Sequence, residues 1–586
     1  MSAQDSAVTR PAAAAPQKAA KKAPGIRQTM SDLHIWAGLL VGWLLYVMFL
    51  TGTVSYFKEE ISQWMRPELA HQSTVPDPAL VATRVVQQLQ TLAPDSPQWS
   101  FSLPDARSNI ASAFWRKPGA QEGRRGAFGN ATFDPATGDT VKSRETRGGD
   151  FFYRFHFQFH YMPVLWGRWL AGFCAMFMLV AIVSGVITHK KIFIDFFTFR
   201  WGKGQRSWLD AHNALSVFGL PFHAMITYTG LVTLMLMYMP WGQNAAYTTP
   251  AERQAAQRTI FSQPPQVKPS GELAELAPIA DMVRQAQARW GRDNLGRVTV
   301  ANPGDANARV TITRGSEERV STTTQFMHFE GSTGRLLQAT DQGSGGAAET
   351  RGVMVALHLG HFADPVVRWL YFLVSLAGTA MVGTGLVLWT VKRRAKLPDP
   401  DKPYFGFWLV ERLNIAAIAG LSIAMAGMLW ANRLLPLDLG QRGVAEVNAF
   451  FAVWGATLVW ALVRPAKRAW IELLWAGAAV LALLPVVNAL TTDRPLWRSL
   501  ASGDWVFGGL ELTLFALALL HVALALRTAR HRPKARPVRP TAKRPVSPTG
   551  PTGRAAPAAP AAPTPAPQMP NPALPAGELA LKEAAP

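Results

Sequence analysis

Apolar residues along this chain gather into eight runs of about twenty, the length at which a helix crosses about 30 Å of hydrocarbon. Polar residues gather between them into two long inserts. The pattern predicts spans at 31–58, 161–190, 207–240 and 356–392, then four more within 404–527. The inserts occupy 59–160 and 241–355, and each opens on a helical period, Ala79 to Leu92 in one and Pro278 to Trp290 in the other. Short alternating strands follow. Both inserts then reach a similar turn, Asp134 to Gly138 and Glu330 to Gly334, where glycine supplies the positive φ a hairpin needs. The expected fold is a polytopic all-α membrane protein of about eight transmembrane helices carrying two small α+β domains. Residues 1–30 and 528–586 have no apolar period and read as a disordered leader and tail.

Composition narrows the chemistry. Of 586 residues 49% are hydrophobic and 17% charged, which excludes a water-soluble architecture. The single cysteine, Cys174, excludes a disulfide framework, a cysteine-ligated metal cluster and thioether-attached haem, so any metal must rest on His, Asp or Glu. Basic residues outnumber acidic ones 59 to 38 and cluster at alternate span ends: Lys21/Lys22/Arg27, Lys190 to Arg206, Lys392 to Lys396, Arg464 to Arg468 and Arg527 to Arg532. The positive-inside rule makes these ends cytoplasmic, with both termini inside and both inserts on the far face. No nucleic acid is expected among the partners.

The first four spans are duplicated. Asp32-Leu-His34 and Thr51-Gly52 in span one match Asp210-Ala-His212 and Thr229-Gly230 in span three. Arg168-Trp169 and Ser184-Gly185 in span two match Arg368-Trp369 and Thr384-Gly385 in span four. A His-bearing segment leads the chain into the membrane in each copy, with His156 and His160 in one and His358 and His361 in the other. A helix–domain–helix unit used twice in one sense implies a pseudo-two-fold axis along the membrane normal, which sets equivalent side chains face to face.

Two imidazoles on opposite helices can clamp a b-type haem without cysteine. The expected axial ligands are His34 and His212 near one surface and His160 and His358 near the other, for one or two haems. His156 and His361 compete for the outer positions. His223 lies eleven residues after His212, about 16 Å along a straight helix and on the same face, and would serve as a mid-membrane site. His189 is a weaker candidate. Each also has a plain reading as an interfacial or hydrogen-bonded core histidine. Gly38 and Gly42 beside His34, and Ser216 and Gly219 below His212, are expected to make room for the rings. Arg154, Arg168, Arg206 and Arg368 are candidates to pair with propionates, and Arg107, Arg124, Arg125 and Arg144 to attract an anionic chelate. His521 and Cys174 read as structural. Glu511, in the last span without an obvious partner in the sequence, is a candidate for proton uptake.

Taken together, Asp-x-His with Thr-Gly on odd spans and His…Arg-Trp…[Ser/Thr]-Gly on even spans, around two small modules, resemble the PepSY-associated transmembrane family over about residues 30–395. The resemblance implies that the inserts are PepSY-like domains and that His34, His212, His156 and His358 occupy the family's histidine positions. It also implies a haem-b electron carrier of the ferric siderophore reductase type in a bacterial inner membrane, reducing a ferric siderophore or other Fe(III) chelate in the periplasm; two iron sites on opposite faces would take their electrons from a cytoplasmic or quinol donor. The rival readings are a non-redox PepSY-type regulator of envelope proteases and a transport or docking subunit. Spans five to eight extend beyond the four-helix pattern.

Overall fold

The computed structural model describes residues 25–531 apart from 70–75, 106, 109, 120–126, 190–191, 266, 316–318 and 341–344. The predicted disordered tail from 532 on and most of the predicted leader lie outside the described residues. Ile26 to Met30, assigned by sequence to the leader, form the first turns of a helix.

Among the described residues, seven helices are long and apolar enough to cross a membrane. They are α1 (Ile26–Ser55), α5 (Val164–Thr188), α10 (Pro365–Arg394), α11 (Phe405–Leu434), α12 (Arg442–Val463), α13 (Ala466–Thr491) and α14 (Trp505–Arg530). A further pair of helices is long and apolar enough only when its two members are taken together. Its halves, α6 (Gln205–Phe218) and α7 (Leu220–Thr233), meet at 68°. The cause is local: Gly219 caps both halves, and Pro221 has no N–H to give to the carbonyl four residues back, so the helical ladder is interrupted. The chain is a multi-pass membrane protein, as its hydropathy predicts.

The rest of each insert is compact. Helices α2 (Lys58–Trp64) and α3 (Pro78–Leu92) precede strands β1 (Gln98–Ser102), β2 (Ala111–Arg116) and β3 (Phe128–Phe133), and α4 (Asp150–Gln158) leads into α5. In the second insert α8 (Ile279–Trp290) precedes β4 (Leu295–Ala301), β5 (Arg309–Arg314), β6 (Phe326–Glu330) and β7 (Leu336–Ala339), and α9 (Gly346–Leu359) leads towards α10. Gly138 (φ +83°) and Gly334 (φ +74°) close the two predicted turns.

The inserts share one sheet. Its antiparallel order is β3-β2-β1-β4-β5-β6-β7, with β1 and β4 paired from Gln98↔Ala301 to Ser102↔Arg297. These strands are equivalents in the two copies, so their antiparallel pairing is what a two-fold axis between them produces. Helices α3 and α8 contribute Val85, Leu89, Met282 and Val283 to the same core as Phe101, Val298 and Ile312.

Candidate functional site: two facing histidine pairs

Four of the duplicated histidines form two pairs. The ring centres of His34 and His212 lie 6.1 Å apart with planes inclined at 66°. Those of His156 and His358 lie 6.2 Å apart at 30°. Each pair takes one ring from each copy of the repeat.

One local device positions all four rings. His34 Nδ1 donates to the Ala181 carbonyl (2.8 Å), His212 to Met381 (2.9 Å), His156 to Met48 (2.6 Å) and His358 to Ile226 (2.9 Å). A carbonyl can only accept, so Nδ1 carries the proton in each ring and the Nε2 lone pair is left for a ligand. Nε2 makes no hydrogen bond with the described residues in any of the four. Each accepting carbonyl lies four residues before the glycine of a Ser/Thr-Gly pair. A Cβ built on Gly52 would stand 2.8 Å from the His156 ring, on Gly230 2.9 Å from His358, on Gly385 3.1 Å from His212 and on Gly185 3.2 Å from His34. The hydroxyl before each glycine turns to the same carbonyl: Thr51 to Met48 (3.4 Å), Ser184 to Ala181 (3.2 Å), Thr229 to Ile226 (3.4 Å) and Thr384 to Met381 (2.9 Å). The recurrent Ser/Thr-Gly is therefore an imidazole cradle, each built within one copy of the repeat.

This corrects the expected source of room. Gly38 faces no atom within 4 Å and Gly42 faces Leu386. Ser216 bonds the His212 carbonyl, and Gly219 lies against His223. The small residues against the paired rings come from the opposing helices instead.

Other expectations change as well. His160 does not pair with His358. Helix α4 ends at Gln158, Phe159 takes a positive φ of 54°, and the chain turns His160 outward onto Phe451 (ring centres 5.4 Å, 16°). His361 stands among Lys58, Arg107, Arg368 and Glu59 rather than in a pair; burial first, then the Lys58 and Arg107 cations, push it down to about 4. His189 caps α5 close to the inner pair.

His223 does not continue the His212 face of a straight helix, because the break at Gly219 intervenes. It is 1% exposed, with Nδ1 unpartnered and Nε2 3.4 Å from the Val374 carbonyl. Gly378, seven residues before Gly385, lies against its ring, so it sits about 10 Å from the inner pair along α10 rather than about 16 Å.

The arginines are largely committed to protein partners. Arg368 pairs with Glu60 (3.1 Å), and Arg107 pairs with the same carboxylate (2.8 Å). Arg168 reaches Gln158 (3.4 Å) and covers the Phe157 ring. Arg154 and Arg206 are exposed. Arg144, expected as a surface attractor of anions, is buried and paired with Glu68 (2.6 Å), while Arg124 and Arg125 lie outside the described residues. Among the described residues no three or more His, Cys, Asp or Glu side chains converge to hold a metal.

Sequence reasoning missed a buried ionic network at the sheet end of the last four spans. Arg442 and Glu446, both fully buried, pair at 2.6 Å. Asn432 (2.7 Å) and Thr146 (2.5 Å) donate to Glu446, and Arg433 bonds Asn488 (2.8 Å). Asn488 donates to Glu511 (2.6 Å), so Glu511 has a partner after all. No apolar-run pattern signals such a network. The residues are single polar positions on different helices.

Among curated proteins none matches the chain. The family described as the PepSY-associated TM region matches residues 31–392, the stretch that holds both histidine pairs and the shared sheet. The chain belongs to the PepSY-associated TM region family.

Proposed function

We propose that the chain binds two b-type haems, one at each histidine pair, and passes electrons across a bacterial inner membrane to a ferric chelate in the periplasm. The observation that carries this reading is the twice-repeated spacing. Two metal–imidazole bonds of about 2 Å, with about 1 Å from each nitrogen to its ring centre, put the ring centres about 6 Å apart. Both pairs have that separation, and in both the tautomer leaves Nε2 as the free donor.

When bound, haem supplies one-electron Fe(III)/Fe(II) chemistry. The chain's own residues do the rest. His34 and His212 hold one site, and His156 and His358 hold the other. The Ala181, Met381, Met48 and Ile226 carbonyls fix the rings and raise the basicity of Nε2, as is usual for the outer partners of a metal-bound histidine. On α1 the inner histidine and the outer cradle, His34 and Gly52, are eighteen residues apart, about 27 Å, so the two sites serve opposite faces. The shared sheet stands beside the outer site as the surface for a ferric chelate. Reduction to Fe(II) weakens binding by hard oxygen ligands and so frees the metal.

The reading is tested in proteoliposomes carrying a quinol or an internal reductant, with a ferric trihydroxamate and a colorimetric Fe(II) trap outside. The expected result is Fe(II) formation that His156→Ala and His358→Ala abolish. Equal Fe(II) formation in empty liposomes, or in those variants, would dismiss it.

A further inference from the structure

Arg412 lies on α11 near its first turns, at the end of the bundle that carries Arg393, Arg394, Arg464, Lys467 and Arg468. It is 8% exposed. Its Nε and Nη1 are enclosed and unpartnered, and none of its nitrogens makes a hydrogen bond with the described residues. The guanidinium rests over the Trp408 ring at 5.7 Å. The charged groups facing it are Glu411 and Arg394. They are bonded to each other, so the nearest carboxylate is shared between two guanidiniums and the nearest cation repels. Glu472, at the same end, is held by Arg464 and by Trp460.

A guanidinium stays charged under all ordinary conditions, and a buried charge without a counter-ion is among the costliest states a side chain can hold. The arrangement requires an anion with acceptor oxygens. Phosphate suits the one accessible nitrogen, Nη2, because a guanidinium N–H to a phosphate oxygen is a charge-assisted hydrogen bond. The surroundings favour a lipid as its source. Trp408, Trp460 and Trp470 stand at the span ends where aromatic rings mark the headgroup level, and a basic rim at that level collects acidic headgroups.

We infer that Arg412 is the centre of a binding site for the phosphate of an acidic glycerophospholipid, at the basic end of the four C-terminal spans. A headgroup there closes the charge that the protein leaves open and gives the last four spans a function the first four do not share.

The full chain, purified in detergent and stripped of lipid, tests this by thermal melting with added phosphatidylglycerol, phosphatidylcholine or inorganic phosphate. Phosphatidylglycerol is expected to raise the melting temperature saturably, and the other two are not. Arg412→Gln is expected to lose the rise, while Arg468→Gln, on the exposed rim, keeps it. An equal rise in Arg412→Gln, or an equal rise with phosphatidylcholine, overturns the site. Inorganic phosphate reproducing the rise overturns the lipid as the source. Should Arg412→Gln fail to yield folded protein, Arg412→Lys is measured by native mass spectrometry. A several-fold weaker retention of one phosphatidylglycerol supports the site, and unchanged retention overturns it.

Discussion

At the level of single residues, the imidazole cradles make a graded prediction. A methyl group on Gly52 or Gly230 would stand 2.8–2.9 Å from a histidine ring, whereas on Gly185 or Gly385 it would stand 3.1–3.2 Å away. Overpacking of this kind typically costs about 1–3 kcal/mol. Gly52→Ala and Gly230→Ala are therefore expected to weaken ligand binding at the outer pair more than Gly185→Ala and Gly385→Ala weaken it at the inner pair. Gly38→Ala, which faces open space, should be silent. Haem retained per chain after purification measures all five. A second residue-level prediction concerns acid. His361 is held down to about 4 by burial and by Lys58 and Arg107, against about 6.5 in an unfolded chain. The unfolded state then binds more protons between those values, so stability falls as pH drops from about 6.5 towards 4. Melting curves across that range should show the loss, and His361→Gln should flatten it.

At the level of elements, what the sequence revealed and what it hid have separate causes. The spans, the repeat and the turns at Gly138 and Gly334 were legible because hydrophobic period and glycine spacing are local signals. His160 leaves the face of His156 because i and i+4 share a face only while a helix continues, and α4 stops at Gln158. The separation of His223 from His212 was misjudged for the same reason, at Gly219. The common sheet was not legible, since Ser100 and Thr299 are partners across almost two hundred residues that no local pattern links. Phe101 is fully buried in the core that the sheet shares with α3 and α8. Phe101→Ala should cost about 3–5 kcal/mol and should raise the rate of proteolysis in both inserts together. Faster cleavage confined to the first insert would mean that the two halves of the sheet fold independently.

Across the whole molecule, the buried network ties the last four spans to the first insert through Thr146 and through the Trp64 carbonyl, which Arg433 bonds at 2.5 Å. Breaking one member of a fully buried pair usually costs about 3–5 kcal/mol, because the partner is left charged and unmatched. Glu446→Ala should lower the melting temperature of the full chain far more than the double variant Arg442→Met with Glu446→Leu. A double variant as damaged as the single one would show that hydrogen bonds to Asn432 and Thr146, rather than the charge pair, supply the stability.

The central claim is that the paired rings hold two haems. It is tested most directly by haem stoichiometry and the reduced-minus-oxidised spectrum of the purified chain. Two low-spin b-type haems per chain are expected, one lost in His34→Ala or His212→Ala and the other in His156→Ala or His358→Ala, with His160→Ala retaining both. A chain without haem, or four variants that keep both, would contradict the account.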